Sequence, residues 1–388
     1  MSTMTKTREH LLYLMACALQ GVSAREEVLA DADLKQLLIM ARKHSVASMV
    51  CMALEKTAIF ANADEAAKKQ WLEAKNKAIR KNMLLDAERK AILHELEIQG
   101  IWYMPLKGSI LKDWYPKPGM REMADNDILF DASKRKEVKA IFQGRGYTVK
   151  GYNKSNHDEY EKPPIYNFEM HVELYHKIYD TFNEKYADVK QRLIPDAEVS
   201  YRFHFTPEDF YVFVIAHAYK HYSRSGTGIR TLADIYVMNQ KLGGTLNWEY
   251  VDSELRGLGI FSYERESREL AQKLFGIAEL PTKANLSETE QQMLAYYLGA
   301  STYGTIENRT LNKMRKLQPN GGAITAHTKR KYLLSRIFPG REWCEAYAPT
   351  VYKYPVLLPF FWVWRLAVKG VKRRDIAKQE LEAIKRER

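Results

Sequence analysis

The chain has 388 residues, 46% hydrophobic and 28% charged, the proportions of an ordinary soluble globular protein with room for two or three apolar cores. Its 60 Lys and Arg against 48 Asp and Glu leave a formal charge of +12 and a pI near 9.3, which favours nucleotides, nucleic acid or an acidic membrane surface as partners. Cys17, Cys51 and Cys344 are too few and too scattered for a disulfide framework or a metal-spacing motif, so a reducing cytoplasmic setting is expected.

The segment after Met1 mixes apolar and charged residues (His10, Arg25, Glu26) and does not read as a secretory signal. Leu11, Leu12, Met15 and Leu19 recur at helical spacing, as do Leu34, Leu37, Leu38 and Ala41, with Asp33 placed to cap the second run. Residues 65–98 predict one long helix with Trp71, Ile79, Met83, Ala87 and Leu93 along its apolar stripe and Gly100 as its stop.

The pattern then changes. Residues 101–104 read as a short strand, 106–114 as helix, 126–130 as strand and 133–145 as helix. Residues 146–152 and 166–174 follow as an antiparallel pair, with Pro163-Pro164 as a turn before the second. This is an α/β layer over residues 99–195, between an N-terminal helical region (1–98) and a C-terminal one (196–388) with a basic tail. In the C-terminal half, helices are expected from Pro207, over 229–242 before Gly243-Gly244, over 286–297 and over 329–337, with residues 318–322 as a flexible break. Residues 355–371 hold Phe360, Phe361, Trp362 and Trp364, too short a run to span a membrane. It either packs on the core or touches an anionic membrane weakly, with Lys372, Arg373 and Arg374 at the headgroups. Part of the basic excess lies here, since Arg365 to Arg388 holds nine Lys/Arg against four Asp/Glu.

The chemistry concentrates in the α/β layer. Lys107-Gly108-Ser109 is followed sixteen residues after Ser109 by Asp125-Asn126-Asp127. Carboxylates at i and i+2 of a strand share a face, repel each other, and are kept together by a cation, Mg²⁺ being suited to oxygen ligands and water. A glycine turn nearby offers backbone N–H groups to phosphate. On the later strand Glu169, His171 and Glu173 share one face, opposite Phe168, Met170, Val172 and Leu174. The pattern points to metal-assisted phosphoryl or nucleotidyl transfer. An equally available reading of the later strand is a half-exposed sheet with no chemistry.

Leu106-Lys107-Gly108, then residues 121–127 and Glu169-Met170-His171, resemble the uncharacterised nucleotidyltransferase group of the DNA polymerase β-like superfamily. His217-Ala218-Tyr219-Lys220-His221 with Arg230 to Asp234 is similar to that group's helical region. The resemblance implies an α+β fold, a small mixed-sheet nucleotidyltransferase layer flanked by helical regions. It also implies Mg²⁺ (or Mn²⁺) held by Asp125, Asp127 and Glu169, with Glu173 competing for the third place. Gly108 and Ser109 would hold the triphosphate of an NTP, with Lys107 and Arg121 neutralising phosphate. His171, Glu173, His217, Lys220, His221 and Arg230 would be substrate contacts. The reaction implied is two-metal transfer of NMP to a hydroxyl acceptor of unknown kind: a small molecule, an RNA end or a protein. The residue between the two aspartates is normally apolar, and Asn126 departs from that. Rival readings are an inactive nucleotide-binding or regulatory module of the same fold, a phosphohydrolase with metal on His217, His221 and Asp234, or a peripheral membrane partner acting through Trp362 and Trp364.

Overall fold

The polar run after Asp64 folds as a single helix, Glu65–Ile98, in the computed structural model, which describes residues 3–176, 180–280, 285–318, 323–372 and 374–386. The Asp64 side chain accepts from the Ala67 N–H at its start, and Gly100 at φ +66° turns the chain away at its end. Its buried seam is Trp71, Ala78, Asn82, Leu85, Ile92 and Leu96, steps of seven, four, three, seven and four that keep to one helical face. The expected stripe is corrected here: Met83 is 67% exposed and Ala87 is exposed. Asn82 takes the inward place because its amide donates to the Arg121 carbonyl at 3.0 Å, so a polar residue marks a buried position that hydropathy assigns to its neighbour.

Before it, Thr3–Gln20 buries Leu11, Leu12, Met15 and Leu19. Leu34–Lys43 starts from Asp33, whose carboxylate accepts from the Lys35 and Gln36 N–H groups. The three cysteines are free and buried, and burial pushes the Cys51 thiol up to about 12.

The sheet has five strands: β1 (Tyr103–Pro105), β2 (Asn126–Phe130), β3 (Thr148–Gly151), β4 (His157–Lys162) and β5 (Tyr166–His171). Their order is β1-β2-β5-β4-β3, with β2 and β5 parallel and the other pairs antiparallel. Two expectations are corrected. β4 intervenes between the segments expected to pair directly, and β5 stops at His171, so Glu173 is exposed beyond the strand end rather than on its face. β4 reads His-Asp-Glu-Tyr-Glu-Lys and has almost no apolar signal. Its inward Asp158 is fully buried and is neutralised by the Arg135 guanidinium, which donates to both carboxylate oxygens at 2.7 and 2.6 Å.

One face of the sheet is apolar. Ile128, Phe130, Tyr160, Phe168 and Met170 form a core with Ile92 and Leu96 of the long helix and Val138, Ile141 and Phe142 of helix Arg135–Gly144. Each such side chain contributes roughly 1.5–3 kcal/mol on burial. Asn126 points to this side. It is fully buried, donates to the Leu85 carbonyl at 3.2 Å and accepts from Arg89 at 2.9 Å, so the departure at the middle position is met by hydrogen bonds from one helix. Because strand side chains alternate, the opposite face receives Asp127, Glu169, His171, His157 and Glu159.

The chain divides into two compact units, residues 1–217 with 228–298, and residues 218–227 with 299–388. The first holds the N-terminal helices, the sheet and helix Arg230–Leu242. Within the second, Met314, Tyr332 and Ile384 make a small core, and Arg309 and Arg336 both donate to Glu380. Residues Leu358–Lys372 are helical. Phe360 is 74% and Trp364 51% exposed, while the Trp362 ring meets Phe338 at 4.9 Å. No helix among the described residues is long and apolar enough to cross a membrane. Most of the expected break at 318–322, and Arg373 of the basic trio, lie outside the described residues.

Candidate active site

Strand register assembles the polar cluster. The parallel β2–β5 pairing sets Asp127 opposite Glu169, and the antiparallel β4–β5 pairing sets Glu159 opposite Glu169 and His157 opposite His171. Asp125 lies one residue before β2. Four acids and two imidazoles thus come from three adjacent strands or their immediate approach. His157 and Glu159 escape a sequence reading because β4 itself does; the signal that could have found them is the alternation of His157, Glu159 and Glu161 around buried Asp158 and Tyr160.

Lys107 enters from the turn after β1 with φ 43° and ψ −107°, a backbone conformation a residue with a Cβ rarely adopts. Its Nζ lies 3.1 Å from Asp127 Oδ1 and 3.1 Å from His217 Nε2. His171 Nε2 lies 2.9 Å from the same Asp127 oxygen. Arg121 is buried and donates to both oxygens of Asp234, at 2.7 and 2.9 Å, and Tyr115 donates to the first of them at 2.7 Å. That fork occupies Arg121 and Asp234 with each other, away from the phosphate and metal roles considered for them. A Cβ on Gly108 would stand 2.7 Å from Arg121 Nη1, so the glycine allows the turn to close over the guanidinium. Ser109 is buried, and its hydroxyl donates to the Leu106 carbonyl at 2.8 Å. Arg230 donates to the Glu122 carbonyl at 2.9 Å and acts on Asp125 through its charge. Lys220 and His221 are on the last turn of helix Pro207–Tyr222, in the second unit.

The electrostatics are unequal among the acids. Burial works against the Asp127 charge, yet Lys107 and His171 hold its carboxyl well below the usual carboxylate range. Burial and then the neighbouring Asp127 raise Asp125. Glu169 is pushed up to about 8 by burial and next by Asp127 and Asp125. Burial lowers His171 to about 4 and lowers His157, so both rings are neutral near pH 7. Three crowded acids, two of which hold their protons more tightly for it, suit a divalent cation chemically.

A mixed sheet with helices packed on one face and acids from two parallel neighbours on the other defines an α+β nucleotidyltransferase-like domain. A model of the family described as uncharacterised nucleotidyltransferase matches residues 30–276, and the chain belongs to that family. No curated protein and no solved structure matches it.

Proposed function

We propose that this protein transfers the nucleoside monophosphate of an NTP to a hydroxyl acceptor at the Asp125–Asp127–Glu169 cluster. The observation that carries the reading is the pairing of Asp127 with Glu169 on adjacent parallel strands, which crowds charge until Glu169 retains its proton to about pH 8. Asp125, Asp127 and Glu169 would hold Mg²⁺ or Mn²⁺, which when bound makes an attacking hydroxyl more acidic and stabilises charge on the leaving pyrophosphate. Glu169, as the third carboxylate of that set, would be the candidate to take the acceptor's proton. Lys107 is the side-chain cation on Asp127 and would donate to a triphosphate oxygen, with His217 beside its Nζ. His171 fixes the orientation of Asp127. The acceptor is a small hydroxylated molecule, an RNA 3′ end or a protein side chain, and the formal charge of +12 leans to an anionic one.

The test is incubation of the full chain with α-labelled NTPs, Mg²⁺ or Mn²⁺ and cell extract, beside Asp127→Asn. Label should pass to an acceptor with the native protein and fall by on the order of 100-fold or more with the variant. NTP binding without transfer in any extract would favour the inactive module, and equal labelling by Asp127→Asn would remove the reading altogether.

A further inference from the structure

We infer that His157, Glu169 and His171 form a transition-metal subsite, so that the cluster selects a divalent ion of the Zn²⁺ or Co²⁺ kind over Mg²⁺. The inference rests on the transferase reading only in sharing Glu169 with it. Three donor atoms, one from each of these side chains, lie within 4.8 Å of one another. Glu169 Oε2 stands between the rings, 3.8 Å from His157 Nε2 and 3.7 Å from His171 Nε2. Donors on a tetrahedral ion with bonds of about 2.0–2.1 Å are separated by about 3.4 Å, so closing on an ion moves Glu169 a few tenths of an ångström towards each ring and requires the widest donor pair, within 4.8 Å, to close by up to about 1.4 Å.

The backbone supplies that spacing without strain. His157 is registered opposite His171 across antiparallel strands, and Glu169 is two residues from His171 on the same strand face. The rings lie 5.1 Å apart between centroids. Side-chain exposure is 7% for His171 and 20% for His157. His171 Nε2 now faces Asp127 at 2.9 Å; offering that nitrogen to an ion gives up this hydrogen bond and moves the ring proton to Nδ1, which is buried without a protein partner.

Two imidazoles and a carboxylate are borderline-soft ligands that hold Zn²⁺ or Co²⁺ well and contribute little to Mg²⁺, whose preference is for oxygen. The set leaves a coordination position open, facing Asp127. An Mg²⁺ site built from the carboxylates alone would be indifferent to His157.

The experiment uses the full chain stripped of metal, titrated calorimetrically with Co²⁺, Zn²⁺ and Mg²⁺, with the visible d–d absorption of Co²⁺ recorded in parallel. His157→Gln, the more exposed of the two histidines, is the variant, and near-UV circular dichroism checks its fold. Native protein should bind Co²⁺ and Zn²⁺ on the order of 100-fold more tightly than Mg²⁺, with an intense low-coordinate Co²⁺ band. His157→Gln should weaken Co²⁺ by on the order of 100-fold, abolish the band and change Mg²⁺ affinity by less than about threefold. Co²⁺ bound no tighter than Mg²⁺, or tight Co²⁺ binding untouched by His157→Gln, overturns the inference. Label transfer with Mg²⁺ alone alongside that result leaves the transferase reading standing. A His157-dependent Co²⁺ band without any transfer leaves the subsite and removes the transferase.

Discussion

Lys107 holds a conformation suited to glycine, φ 43° and ψ −107°, while its amine is fixed between Asp127 and His217. A residue with a Cβ in such a region stores about 1–3 kcal/mol of backbone strain. Two substitutions separate strain from charge. Lys107→Ala removes the amine and keeps the Cβ; Lys107→Gly removes both. The loss of the Asp127 partner is common to the two variants and cancels between them. Elsewhere glycine is about 0.5–1 kcal/mol worse than alanine because the unfolded chain gains freedom. Here strain relief outweighs that cost, so Lys107→Gly should be the more stable by about 1–2 kcal/mol. Urea unfolding monitored by circular dichroism, with matching m-values, gives the difference directly. Lys107→Ala as stable as Lys107→Gly, or more so, would show that the turn carries no strain and that the amine is not held in place by it. Both variants should lose label transfer, since neither supplies a cation to Asp127 or a triphosphate.

Glu169 makes stability depend on pH in a definite direction. The folded chain keeps its proton to about 8 and the unfolded chain releases it near 4.5, so stability falls as pH rises between those values. Glu169→Gln should flatten the fall by about 2 kcal/mol between pH 6 and 9 in EDTA, and parallel curves for the two proteins would refute the assignment. Arg121→Met leaves Asp234 buried without its fork and should cost about 3–5 kcal/mol in unfolding free energy; a loss under about 1 kcal/mol would contradict a structural role for the pair. Gly108→Ala drives a Cβ to 2.7 Å from Arg121 Nη1 and should cost about 1–3 kcal/mol alone. In the Arg121→Met background it should cost less, and strict additivity would show that the clash is not with Arg121.

What was legible in the sequence was what local periodicity encodes. Gly100 ends the long helix, whose bounds come out as expected, because a positive-φ glycine is a local signal. The strand Asn126–Phe130 and the outward side of Glu169 follow from two-residue alternation and are equally local. The ladder that registers Asp127 against Glu169 joins residues 42 apart, and only a resemblance to a known family put them together beforehand. The fork between Arg121 and Asp234 spans 113 residues; both read as free polar groups until the fold buries them against each other. β4 was lost because its inward Asp158 is charged and becomes acceptable in a core only once Arg135, 23 residues away, neutralises it. With β4 went His157 and Glu159. Glu173 was gained wrongly, since alternation continues in the sequence past the point where hydrogen-bonded pairing ends at His171.

The charge around the cluster is distributed in one direction. Asp127 has Lys107 at 3.1 Å and His171 at 2.9 Å on one oxygen, and its charge is held. Glu169 meets imidazoles at 3.7 and 3.8 Å, beyond hydrogen-bond reach, and two acids raise its proton affinity. Were a divalent cation held here, Glu169 would give up a proton to it, whereas Asp127 already has an ammonium as its partner. Occupation of Glu169 first would weaken the hold of Asp127 on Lys107, because the cation takes over the neutralising role. Lys107, already strained at its backbone, would then be the side chain released towards a triphosphate. On the transferase reading, cation binding at Glu169 and phosphate binding near Gly108 would be coupled through Asp127 and Lys107, and the coupling should vanish in Lys107→Ala even where cation affinity survives.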